Sequence, residues 1–559
     1  MQKVLVVIPA RGGSKGIPGK NTRFLNGKPL IWYALGVANT IANATVAVST
    51  EDDTIASYCK AFPGNTTIVK RPAHLAEDHI PLDPVIKDAV EQMESQGERY
   101  ETVVTIQPTS PLLTAHTLGE ALAAFETAQI DSMIAVCEKA HLFWYTDEAG
   151  EVKQFYPERV NRQLLKPTYD ETGAFVICKR DVLLATGERL VGTIQCYTIP
   201  ERESTDIDSW QDWMIAEATL KRKKIALHVI GKANVGLGHV YRGLTIAEML
   251  LEHEVLFLIG KDQDLGMQKI KDSNYPVYIY DNQAQFDELL STIQPDIVIN
   301  DILDTDYDFI KNIKDKGIRV VNFEDLGSGT ACADMVINAL YECSFQEERH
   351  VYGYTYECLR NEFYLYEKKE RPADKIRTVL VTFGGTDPNN LTQTVLALIS
   401  EHANYFKEQG IRFTVIVGPG YGDKENLAAL AREIKAQQGI VVDVLPDVKF
   451  MSDYMYKADL IITSNGRTVY EVVALRTPVI TISQNLREES HLFAKICKGI
   501  VNLGLHSELQ ASAIFNGIKR IVENPDYRQY LFEEVAKFSE GIKQGKYNVI
   551  ATINKELAK

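Results

Sequence analysis

Short apolar runs of strand length alternate with amphipathic stretches of helical length from one end of the chain to the other. That alternation predicts α/β layers built on parallel sheets. Residues 3–10 read as a strand buried on both faces, and 44–49, 102–106 and 132–136 repeat the pattern. Helical periodicity fills 81–96 and 114–128 between them. A charged run at 221–224 follows the helix-like stretch 209–220, and a fresh strand with a new glycine-rich loop begins at 225. A strand–loop–helix start this deep in the chain predicts a boundary near Arg222. Strand-like runs at 254–259, 277–280, 296–300 and 319–323 then form one lobe. A polar, proline-containing stretch at 367–375 reads as a linker, and runs at 378–383, 412–417, 439–445, 460–463 and 478–482 form another lobe. The expected divisions are therefore 1–222, 223–370 and 371–559, with a ligand cleft between the last two lobes.

A chain of 559 residues is too long for one core. Its hydrophobic content of 45% and charged content of 24% suit a folded protein. The net charge of -15 argues against nucleic acid or an anionic membrane as partner. The eight cysteines, Cys343 among them, are scattered without a Cys-x-x-Cys pair, which suits reduced thiols and a cytoplasmic location. No apolar stretch approaches the roughly 20 residues that span a bilayer, and the start lacks the apolar length of a signal peptide. An anionic substrate must then be met by a local basic cluster.

One follows the first strand. Residues 10–21 and Arg23 bring Arg11, Lys15, Lys20 and Asn21 together with Gly12, Gly13, Gly16 and Gly19. Glycines let backbone N–H groups approach a ligand, and the cations neutralise a polyphosphate. Lys20 is followed by Asn21 rather than Ser or Thr, so this is not a Walker A loop. Far downstream, Asp206-Ile207-Asp208 precedes a helix. Residues two apart in an extended segment share a side, so both carboxylates can serve Mg²⁺, although an isolated Asp-x-Asp also serves as a helix cap.

The loop resembles the signature of the acylneuraminate cytidylyltransferases, as do Gln107-Pro108-Thr109-Ser110-Pro111-Leu112, Arg162-Gln163 with Tyr169 and Gly173, and Asp206-Ile207-Asp208. The resemblance implies that Arg11, Gly12, Gly13, Lys15, Lys20 and Asn21 hold CTP, with Lys20 and Asp208 catalytic. It implies that Gln107, Arg162 and Tyr169 face a nonulosonic acid, that Asp206 and Asp208 hold Mg²⁺, and that the domain forms a homodimer.

The second glycine loop, 234–243, starts at Asn234 and sets His239 at a loop-to-helix junction, where a near-neutral pKa suits proton transfer. Gly384 and Gly385 follow a later strand and can admit a diphosphate to the next helix N-terminus. Asn465 and Gly466 follow another strand and lead to Glu471, a carboxylate suited to ribose hydroxyls. With the Leu359-Arg360-Asn361-Glu362-Phe363 segment, these resemble the UDP-sugar hydrolase of pseudaminic-acid biosynthesis, itself similar to GT-B glycosyltransferases. The resemblance implies hydrolysis of a UDP-linked diacetamido-trideoxyhexose with His239 assisting water, and with Gly384, Gly385, Asn465, Gly466 and Glu471 holding UDP. A glycosyltransferase or a non-catalytic nucleotide-sugar-binding module stays open as an alternative. The expected fold is α/β: a Rossmann-like nucleotidyltransferase (GT-A-like) domain, then a two-lobed GT-B-like module.

Overall fold

The computed structural model describes residues 3–232, 235–341, 348–418, 420–446 and 448–559, so Asn234 and Cys343 lie outside the described residues. The chain divides into two compact units, Met1–Arg222 and Lys223–Lys559.

The first unit is built on a seven-stranded sheet ordered Ile194–Thr198, Ser132–Glu138, Tyr169–Lys179, Thr102–Ile106, Val4–Pro9, Ala44–Thr50, Thr67–Lys70. Neighbours run parallel except at Tyr169–Lys179, which is antiparallel to both of its partners. All six residues of Val4–Pro9 are buried, as an apolar run covered on both faces requires. This strand lies between Ala44–Thr50 and Thr102–Ile106, so its carboxyl end opens where the chain order reverses. The helix Ala115–Thr127 starts where the sequence predicts, because the Thr114 side chain accepts from the Thr117 N–H.

The second unit carries two all-parallel sheets. The first is ordered Val277–Tyr280, Glu254–Gly260, Lys224–Val229, Ile297–Asp301, Arg319–Phe323, Met335–Asn338, His350–Tyr352. The second is ordered Val442–Pro446, Arg412–Val417, Thr378–Thr382, Leu460–Ser464, Val479–Ser483, Ile500–Leu505. In each, the first strand is internal, with the next two to one side and the later ones to the other. That is the doubly wound order, and its crevice opens at the carboxyl end of the first strand. Two such lobes in one unit make the GT-B-like arrangement.

The partition at 370/371 needs one revision. The 33-residue helix Pro525–Leu557 leaves the C-terminal lobe and returns to the other. Leu531 packs with Phe413 and Ile480, whereas Val549 and Ile553 join Ile225 and Phe257 in the core of the preceding lobe. No helix among the described residues is long and apolar enough to cross a membrane.

Midway along this helix a Cβ on Gly545 would lie 2.2 Å from the Glu357 carbonyl oxygen. Gly545→Ala is therefore expected to cost about 1–3 kcal/mol through overpacking, read as a lower urea midpoint.

Candidate active sites

In the first unit the basic loop and the acidic pair meet. Ile17 is fully buried and packs with Ile207, Leu25, Leu30, Trp213 and Ala216 in a small apolar cluster. Gly16 is needed at that contact, since a Cβ would fall 2.4 Å from the Asp208 carbonyl oxygen. Lys20 Nζ donates to the Ile207 carbonyl at 2.6 Å and to Asp208 Oδ1 at 3.2 Å. The Thr109 carbonyl accepts the Ile207 N–H at 2.8 Å, and the Ser110 hydroxyl donates to the Thr172 carbonyl at 3.1 Å. The 107–112 motif thus fastens the acidic segment to the sheet.

Ile207 enters the core while Asp206 and Asp208 stay on the other side, as alternation requires. Asp206 Oδ1 is buried without a hydrogen-bond partner. Burial pushes the Asp206 carboxyl pKa up against the opposing Thr109 hydroxyl nearby, and the neighbouring Asp208 charge adds to the push. Gly173 turns with φ +65, and a Cβ there would lie 2.9 Å from Asp206 Oδ2 and 3.1 Å from Gln107 Nε2. Gln107 and Asp206 therefore converge on one point. Among the described residues, no group of three or more His, Cys, Asp or Glu forms a metal cage.

The loop cations have acidic companions that the motif did not reveal. Arg11 and Lys15 reach Asp78 at 2.8 and 2.6 Å. The bond from Lys15, with the Arg11 charge, holds the Asp78 carboxyl below its usual range. The Gly12 N–H donates to Glu51 Oε1 at 2.7 Å, and a Cβ on Gly12 would fall 2.3 Å from Asp52 Oδ2. Gly13 faces open space. Asn21 is a correction: it is buried, and its amide donates to the Arg11 carbonyl at 3.0 Å, so its side chain shapes the loop. Arg162 and Tyr169 are exposed, and no hydrogen bond or ion pair among the described residues ties their side chains to the Lys20–Asp208 contact.

In the second unit a cavity of about 280 Å³ lies between the two lobes, lined by Gly238, Gly384, Gly385, Arg467 and Glu471 among others. A second cavity of about 840 Å³ adjoins it, lined by His239 and Leu303. His239 Nδ1–H donates to Asp301 Oδ1 at 2.5 Å. Asp301 ends the strand Ile297–Asp301, beside the strand whose loop carries His239. Arg242 donates through Nε to Asp301 Oδ2 at 2.5 Å, through Nη2 to Asp301 Oδ1, and through Nη1 to Glu324 at 3.0 Å. From the other lobe, Arg467 reaches Glu357 at 3.1 Å and Glu324 at 3.4 Å.

Burial opposes charge on Asp301, yet Arg242 and His239 hold its carboxyl well below the usual carboxylate range. Burial pulls the His239 pKa down, with Asp301 opposing. Burial thus favours the neutral imidazole, and the contact with the Asp301 carboxylate favours the proton on Nδ1, which leaves Nε2 as the nitrogen open to a proton.

Three expectations change here. Gly384, with φ +80, and Gly385 do line the cavity. The helix beyond them, Leu391–Glu401, is already capped, because Asp387 accepts from the Leu391 and Thr392 N–H groups at 3.0 and 2.8 Å. A diphosphate there meets the glycine loop, not free helix donors. Glu471 lines the cavity from the first turn of Thr468–Ala474, but its Oε1 accepts from Arg360 at 3.1 and 3.0 Å. Asn465 is 2% exposed and spends its amide on the Glu488 carbonyl at 3.0 Å, so with Gly466 it stands behind the cavity wall. Arg242, three residues after His239, was within reach of sequence reasoning; Asp301, Glu324 and Glu357 carried no local signal.

Removing Arg242 strands Asp301 in the interior. Arg242→Met is expected to cost about 3–5 kcal/mol at neutral pH. The deficit should shrink as pH falls into the carboxylate range and Asp301 takes up a proton, as urea unfolding at two pH values would read.

Residues 5–213 match the family model described as Cytidylyltransferase. An uncharacterized protein of Methanocaldococcus jannaschii is 31% identical over 278 residues, covering 47% of this chain and 56% of that one. The chain thus spans only about half the length of that relative. The pseudaminic acid cytidylyltransferase of Campylobacter jejuni is 29% identical over 225 residues, covering 39% of this chain and 97% of the relative. Among solved structures, MurG of Acinetobacter baumannii aligns with 60% of this chain and 99% of its own, at 17% identity and a TM-score of 0.45. The cytidylyltransferase similarity covers the loop, the 107–112 motif and the acidic pair together.

Proposed function

We propose that the N-terminal unit transfers CMP from CTP to a sialic- or pseudaminic-type nonulosonic acid, releasing pyrophosphate. The observation that carries this reading is the meeting of Lys20 with Asp208 beside a buried, unpartnered Asp206 oxygen. The relative named as a pseudaminic acid cytidylyltransferase supports the substrate class.

Asp206 and Asp208 fit Mg²⁺, since both offer hard oxygen donors and one buried oxygen lacks a partner. When bound, the ion polarises the α-phosphate and offsets charge on the departing pyrophosphate. Arg11 and Lys15 exchange Asp78 for phosphate oxygens, and the open side of Gly13 admits the triphosphate to the backbone. Lys20 stays beside Asp208 and steadies the reacting phosphate. Arg162, exposed on its turn, offers a planar fork for the sugar carboxylate, with Gln107 and Tyr169 on the sugar side.

For the C-terminal unit the reading is hydrolysis of a UDP-linked diacetamido-trideoxyhexose to free sugar and UDP. Its support is the neutral His239 oriented by Asp301 at the cleft. His239 Nε2 takes the proton of the water that attacks the anomeric carbon. The larger cavity beside His239 has room for an acceptor, which favours glycosyl transfer as the second reading.

With CTP, Mg²⁺ and a panel of nonulosonic acids, mass spectrometry should show one CMP-sugar. Asp208→Asn should lower its rate at least about 100-fold without changing the unfolding midpoint, since several kcal/mol of charge stabilisation is lost. Without acceptor, the intact chain should release UDP from a UDP-diacetamido sugar. His239→Ala should slow that release by about 100-fold or more. Release only when an acceptor is added would establish transfer instead.

A further inference from the structure

The other acids that line the two cleft cavities have a basic partner: Glu324 has Arg242, Glu357 has Arg467, and Glu471 has Arg360. Glu488 differs. Its Oε2 accepts the Gln484 N–H at 2.8 Å, and no Lys, Arg or His pairs with it among the described residues. Its Oε1 stands 3.3 Å from where a Cβ on Gly466 would be, so the glycine makes room for the carboxyl.

Position gives this carboxyl a meaning. Glu488 lines both cavities, the one that holds the Gly384-Gly385 loop and the one that holds His239. A ligand with its diphosphate on the glycine loop and its sugar toward His239 carries its sugar–phosphate bond through that junction. The usual stabilisers of a departing phosphate are committed elsewhere. The first N–H groups of the adjoining helix already donate to Asp387, and Arg467 and Arg360 are bound by carboxylates.

The surroundings favour an uncharged carboxyl. Asp387 approaches from the loop after Thr378–Thr382, the Asn465–Arg467 turn from the next strand, Gln484 and His491 from its own segment, and His239 and Glu324 from the other lobe. Burial, with Asp387 adding, pushes the Glu488 pKa up to about 7. A bound diphosphate pushes it further in the same direction.

We propose that Glu488 is the acid of the C-terminal reaction, donating its proton to the phosphate oxygen that leaves the anomeric carbon, across the cleft from His239. This rests on reading the cleft as a site that breaks a sugar–diphosphate bond. In hydrolysis, the water oxygen forms the new bond to the anomeric carbon and its proton passes to His239 Nε2. The old carbon–oxygen bond breaks toward phosphate, which receives the Glu488 proton. Solvent exchange then returns one proton to Glu488 and removes one from His239. A neutral base and a protonated acid are thus set at one site by different environments.

The test compares the full-length chain with Glu488→Gln, following UDP release from a UDP-diacetamido sugar across pH, with UDP affinity by calorimetry as the check on folding. The expected result is a fall in kcat of about 10- to 100-fold near pH 6 and UDP affinity within about twofold. The decline of kcat/KM at alkaline pH, which reports loss of the acid's proton, should disappear while the His239 limb at low pH persists. A variant that keeps both the wild-type kcat and the alkaline decline overturns the proposal and leaves the cleft's assignment standing. A wild-type chain that binds UDP but releases none from any UDP-sugar, with or without acceptor, overturns both.

Discussion

The N-terminal site depends on one contact, made by residues 187 apart: Lys20 Nζ on the carbonyl of Ile207. Beneath it, Ile17 and Ile207 share an apolar cluster. Burial of two such side chains contributes roughly 3–6 kcal/mol, far more than the exposed Lys20–Asp208 ion pair can. Hydrophobic packing therefore positions the polar chemistry. Once Ile207 is in the core, alternation leaves its two aspartate neighbours no choice of side. Gly16 and Gly173 clear the remaining space, the first under the Asp208 backbone and the second against Asp206 and Gln107.

The C-terminal unit reaches its geometry by the opposite route, through charge. Arg242 and Arg467 are shared among Asp301, Glu324 and Glu357, and Arg467 reaches across from the other lobe. Such a network contributes little net stability over an apolar core, but it fails badly if one member is lost. Its return is definition: the two lobes meet in one register, and His239 keeps one tautomer. The helix Pro525–Leu557 reinforces the same alignment by packing in both cores.

The layering was legible in the chain because buried parallel strands leave unbroken apolar runs, and residues 3–10 differ from the observed Val4–Pro9 only at the ends. Helix starts were legible where a side chain caps them, as Thr114 does. The glycines and cations of the first loop were visible because they are contiguous. Their partners were not, since Glu51, Asp52 and Asp78 come from other turns and ordinary surface acids look the same in sequence. Asp387 shows the limit most sharply. The two glycines before it predicted free helix donors for a diphosphate, whereas the left-handed backbone of Asp387, φ 43, turns its carboxylate back onto the helix start. Asn465 misled for a similar reason, because its buried amide holds a neighbouring turn.

The central proposal is spatial: the Arg11–Lys20 loop would hold one triphosphate, and Asp206 and Asp208 would hold the divalent ion that serves it. Anomalous diffraction from crystals grown with CTP and Mn²⁺ tests this directly. The account predicts a metal peak within bonding distance of both carboxylates and of a phosphate oxygen, with Arg11 and Lys15 turned from Asp78 to the triphosphate. A peak away from the two aspartates, or a triphosphate bound elsewhere, would contradict it.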